Sequence, residues 1–103
     1  MKSTLGRSSN PTTFVLVHGA WAGAWALARL VDRLIAKGHR VYAPTLSGLG
    51  ERSHLAGYDV NLSTHVNDIV NEITWKDLDH VVLVGFSYGG LVVTGAAEKM
   101  RVS

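Results

Sequence analysis

The stretch VVLVGFSYGG, Val81–Gly90, decides the fold. Its apolar, β-branched start lacks alternation, which suggests a strand covered on both faces, expected over His80–Phe86. It runs straight into Ser87, and the residues from Gly90 towards Met100 read as a helix. Between them, Gly85-Phe86-Ser87-Tyr88-Gly89 spells G-x-S-x-G, in which a serine sits on a strained turn between strand and helix. Side chains at the flanking positions would strike neighbouring backbone, hence Gly85 and Gly89, and Gly90 is read as easing the same crowding. The helix behind Ser87 aims its N-terminal dipole at a developing anion. Composition alone produces this spacing in about 3% of chains this long. The flanking strand and helix therefore carry the reading.

Working back from this stretch, Asp77–Asp79 turns the chain after a helix whose apolar stripe is Val66, Ile69, Val70 and Ile73. That helix is expected to start at an Ser63 N-cap and to end near Trp75. A Gly/Ser-rich loop, PTLSGLGERSHLAGYD (Pro44–Asp59), precedes it and follows a short strand, His39–Ala43. Earlier still, Trp21, Trp25, Ala28, Val31 and Ile35 fall at helical spacing within Trp21–Lys37, with Gly38 as the stop. Phe14–His18 reads as a buried strand, and Met1–Thr13 as a flexible polar tail ahead of one domain, 14–103. The three tryptophans are expected in the core, and Asp32, Asp68 and Glu72 on solvent faces. Strand and helix alternate throughout. That order implies an α/β three-layer sandwich, with a parallel sheet, helices on both faces and ligands at the carboxyl ends of the strands.

Composition narrows the function. At 103 residues, 47% hydrophobic and 17% charged, the chain is one folded domain, neither multidomain nor disordered. A net charge of +2 with scattered basic residues argues against nucleic acid. Without cysteine there is no disulfide, thiolate nucleophile or cysteine zinc site, and a cytoplasmic setting is expected. No apolar run approaches the roughly 18 to 20 residues that span a bilayer. Gly48-Leu49-Gly50 lacks the third glycine of a dinucleotide fingerprint, and no histidine–carboxylate cluster suggests a metal, so no cofactor is expected.

A second element, His18-Gly19-Ala20-Trp21, closes the first strand. An acyl-transfer site needs a backbone donor there to pair with the one after the nucleophile, which makes the N–H groups of Ala20 and Tyr88 the candidates. With FVLVHGAWAGAW (Phe14–Trp25), GHRVYAPTLSGLGERSHL (Gly38–Leu55) and VVLVGFSYGG, the chain resembles the amino-terminal portion of an α/β-hydrolase. The resemblance is to the small-esterase branch with plant methylesterases and hydroxynitrile lyases.

The resemblance implies Ser87 as nucleophile, Ala20 and Tyr88 as oxyanion donors, Trp21 at the acyl pocket, and a small ester-like substrate. Phe86 departs from the polar residue common there. Relatives order the triad serine, acid, histidine, and this chain stops one helix beyond Ser87, so acid and base are expected to be missing and the chain alone inactive or weakly active. Of the five histidines, His18 reads as turn structure, His39 and His80 as strand starts at the far end of the sheet, and His65 as a helix residue. His54, on the loop at the carboxyl side, is the remaining candidate for a substitute base. The family's strand order would leave the third strand without an outer neighbour, so self-association through that edge is expected. The alternative is a non-catalytic ligand-binding or assembly fragment of the same fold.

Overall fold

The computed structural model describes residues 11–101. Three parallel strands, β1 (Thr13–Val17), β2 (Arg40–Tyr42) and β3 (Val81–Gly85), form a sheet in the order β2–β1–β3. Helix α1 (Ala28–Ala36) connects β1 to β2, α2 (Leu62–Trp75) connects β2 to β3, and α3 (Tyr88–Arg101) follows β3. Because the first crossover runs outward from β1 to β2 and the second runs back from β2 past β1 to β3, their right-handedness puts α1 and α2 on opposite faces. The expected α/β sheet with helices on both faces is therefore the observed architecture, and β1 is the strand at which the winding reverses.

The register explains the core. Val15 and Val17 stand opposite Leu83 and Gly85, and side chains alternate between faces along each strand. Val15 and Val17 pack with Ile69 and Ile73 of α2, Val92 and Ala96 of α3, and Leu46 from the loop after β2, all buried. Each fully buried side chain of this kind contributes roughly 1.5–3 kcal/mol. Leu16 is also buried, on the opposite face, but α1 beside β2 contains no buried residue.

Several expectations shift. Most of the expected tail, Met1–Asn10, lies outside the described residues, whereas Thr13 is already strand, buried and paired with Arg40 and Val81. The helix expected over Trp21–Lys37 is a 3-10 turn, Ala24–Leu27, followed by α1, and Gly38 ends it at φ +91°. The N-cap of α2 is Asn61, not Ser63: Asn61 has the extended backbone a cap requires. Its Oδ1 accepts the Thr64 N–H at 3.1 Å while the Thr64 hydroxyl accepts the Asn61 N–H at 3.1 Å.

The tryptophans are not core. Trp21 is 98% exposed, Trp25 64% and Trp75 83%. Trp21 and Trp25 precede α1, and Trp75 lies two residues beyond Ile73, on the other side of α2 from the buried stripe His65, Ile69, Ile73. Among the described residues no helix is long and apolar enough to cross a membrane, and no cluster of three or more metal-ligating side chains occurs.

Candidate active site

β1 and β3 end level, with Val17 paired to Gly85, so the residues that follow each strand emerge side by side. The Phe86 N–H extends the ladder by donating to the Val17 carbonyl at 2.9 Å. Ser87 then adopts φ +57°, a left-handed conformation that costs a non-glycine residue on the order of 1 kcal/mol or more. α3 begins at the next residue, two earlier than the sequence pattern suggests.

The crowding expected at the flanking glycines is present. A Cβ on Gly85 would overlap the Gly89 carbonyl and come within 2.6 Å of the Gly90 nitrogen, and one on Gly89 would overlap the Val17 carbonyl oxygen. Gly90 corrects the reading: a Cβ there meets nothing within 4 Å, because that position has turned away from β1. A Cβ on Gly19 would lie 3.5 Å from the Ser87 Cβ, which brings the HGAW stretch to the serine.

Ser87 is exposed, and among the described residues its hydroxyl has no hydrogen-bond partner, histidine or carboxylate. Neither the Ala20 N–H nor the Tyr88 N–H has an acceptor there. Trp21 stands in solvent beside Ala20. His54 lies exposed in a second 3-10 segment, Gly50–Leu55, and no hydrogen bond joins it to Ser87.

His18 is more than a turn residue. It is fully buried, and its Nε2 accepts the Leu46 N–H at 2.9 Å. Nδ1 therefore carries the proton and donates to the Gly19 carbonyl at 2.7 Å. That carbonyl belongs to the same planar peptide as the Ala20 N–H, so the ring fixes the plane in which the N–H lies.

A separate chain of bonds ties the loop after β2 to the 3-10 turn that precedes α1. The Ala24 N–H donates to the Thr45 hydroxyl at 2.9 Å, which donates to Glu51 Oε2 at 2.6 Å, while Arg52 Nη1 donates to the Thr45 carbonyl at 2.9 Å. The Thr45 hydrogen bond, helped by a backbone hydrogen bond, holds the Glu51 carboxyl below its ordinary range.

Two residues of α2 hold the loop after β2. Asp68 was expected in solvent, but it is half-buried, and its carboxylate accepts the Ser47 N–H at 2.7 Å and the Ser47 hydroxyl at 2.9 Å. His65, only 6% exposed, bridges the Ser47 carbonyl and the Tyr88 hydroxyl. A signal was available for His65, since it stands in phase with the buried stripe at Ile69 and Ile73.

A crowded serine elbow at the carboxyl end of a parallel sheet, beside a His-Gly turn, is a hydrolase arrangement. The chain belongs to the alpha/beta hydrolase family, whose model matches residues 14–103. It is 49% identical over 87 residues to a carbendazim hydrolyzing esterase of Nocardioides sp., covering 84% of this chain and 36% of that protein. It is 37% identical over 87 residues to Methylesterase 8 of Arabidopsis thaliana, covering 84% and 32%. Among solved structures, an extracellular alpha/beta-hydrolase from a Paenibacillus species superposes with a TM-score of 0.80 at 33% identity, covering 88% of this chain and 36% of that one. The chain thus spans about a third of the length of these relatives.

Proposed function

We propose that this chain carries the nucleophile and both oxyanion donors of a serine hydrolase acting on small carboxylic esters. The left-handed Ser87 at the β3–α3 junction carries the reading: such strain persists where surrounding structure imposes it, and it pushes the hydroxyl out of the fold. In the reaction, Ser87 Oγ attacks the ester carbonyl and loses its proton to a general base. The Ala20 and Tyr88 N–H groups stabilise the resulting oxyanion, the alkoxide leaves with a proton, and water then cleaves the acyl-serine to acid and free Ser87. Esterase relatives support the substrate class, and among the described residues no acceptor competes for the two N–H groups. The acid and base belong to the part of the relatives' length that this chain does not span.

Hydrolysis of a short activated ester by the purified chain beside its Ser87→Ala variant tests the reading. Turnover or acyl adduct that disappears with Ser87→Ala supports it, and equal rates with equal labelling overturn it. A cytoplasmic setting, read from the lack of cysteine, belongs to the same proposal, although the Paenibacillus relative is extracellular by its own description.

Self-association through β3 is a second part of the proposal. β3 is an edge of the sheet among the described residues, and Val82 on it is exposed. Unpaired backbone groups beside exposed apolar side chains favour pairing with another chain. Light scattering at tens of micromolar should report species above the monomer mass; a strict monomer removes this part and leaves the catalytic reading standing.

A further inference from the structure

His65 and Asp68, three residues apart on α2, both reach the loop after β2 at one residue, Ser47. The Ser47 carbonyl can only accept, so His65 Nε2, 2.9 Å away, carries the ring proton. Nδ1 is then the acceptor and takes the Tyr88 hydroxyl at 2.7 Å, with the two rings edge to face. Burial pushes the Tyr88 phenol up from its ordinary range, so the hydroxyl keeps the proton that it can offer to Nδ1.

Tyr88 follows Ser87 and is the first residue of α3, so its N–H has no intrahelical acceptor and its orientation is not set by the helix alone. Its side chain supplies that restraint. On the other side, His18 holds the Leu46 N–H and the carbonyl of the Gly19–Ala20 peptide. Both candidate donors are thus anchored, each through one neutral imidazole, to the adjacent residues Leu46 and Ser47. A histidine that merely filled the core would have no reason to link these two places.

We propose that His65 is a positioning residue for the Tyr88 backbone donor, acting through the Tyr88 hydroxyl and held in place by Ser47 and Asp68. This rests on the serine-hydrolase reading above. An anion held by two fixed donors gains from each only while that donor keeps its direction, so releasing Tyr88 weakens one donor and spares the other.

The test is an acetate titration of the isotope-labelled chain followed at the amide signals of Ala20 and Tyr88, acetate standing in for the oxyanion. In the unaltered chain both should shift. In His65→Leu and in Tyr88→Phe the dissociation constant should rise about fivefold, the equivalent of one neutral hydrogen bond, and the limiting shift of the Tyr88 amide should shrink while that of Ala20 persists. His65→Gln should recover most of it, because one amide can accept from Tyr88 and donate to Ser47. Ring-nitrogen spectra should show His65 protonated at Nε2 and His18 at Nδ1, and Tyr88→Phe should shift only His65. Should His65→Leu fail to fold, Tyr88→Phe decides. An unchanged Tyr88 limiting shift in that variant, or equal shrinkage of the Ala20 and Tyr88 limiting shifts, overturns the proposal and leaves the hydrolase reading intact. Silence of both amides in the folded, unaltered chain overturns the two together.

Discussion

The two helical layers that cover the sheet are unequal. α1 segregates its apolar and charged residues more sharply than α2 or α3, yet it has no buried residue, and Ile35 on it is exposed. On the other face α2 and α3, with weaker segregation, bury His65, Ile69, Ile73, Val92 and Ala96. An amphipathic pattern therefore says which way a helix will turn its apolar side, not how completely that side will be covered. Coverage depends on partners distant in sequence. The face of α2 and α3 is also the one that supports Ser87, so precision of packing and candidate chemistry coincide.

This contrast can be broken experimentally. The largest effect is expected at its centre: Gly89→Ala puts a methyl group into the Val17 carbonyl and should cost about 3 kcal/mol or more, read as a loss of cooperative unfolding in urea. Next, Ile69→Ala should cost about 2–5 kcal/mol, whereas Ile35→Ala on α1 should stay within about 0.5 kcal/mol. Equal costs in urea would abolish the distinction between the layers.

A smaller change of opposite sign is expected at the elbow. Ser87→Gly removes left-handed strain and should raise stability by roughly 0.5–1 kcal/mol, visible as a higher thermal midpoint.

The smallest effect concerns Glu51, which borders the α1 side. Its folded carboxyl titrates below its ordinary value, so its contribution is present above the unfolded pKa and disappears as pH falls through the lower folded one. Thr45→Val removes the principal cause, and its stability should fall less steeply with acidification over that window in urea titrations at stepped pH.

What could be read from the sequence follows the same line between local and distant causes. The strand–elbow–helix unit was legible because every constraint in it, an apolar run, two glycines and a serine, falls within ten residues. The order of strands and helices was legible from periodicity. The cap of α2 was not, because Asn61 and Ser63 are both good cap residues, and the backbone angle at Asn61 decides between them. Nor were the roles of His18 and Asp68, whose partners lie 28 and 21 residues away. The exposure of Trp21, Trp25 and Trp75 escaped for the same reason: composition places large aromatics inside, but position on the element decides.

The contact between Gly89 and the Val17 carbonyl joins residues at opposite ends of the described chain. Ser87 can hold its left-handed turn only after β3 has docked beside β1, and no short piece of the chain can rehearse it. Assembly must first close a loop of some seventy residues, a long-range event that makes folding slow relative to local helix formation. In the reverse direction, any opening that peels β1 from β3 dissolves the elbow and moves Ala20 away in one step. Hydrogen-exchange protection along β1 and β3 would accordingly disappear as a single unit, and the rate of that opening would cap the lifetime of a competent site.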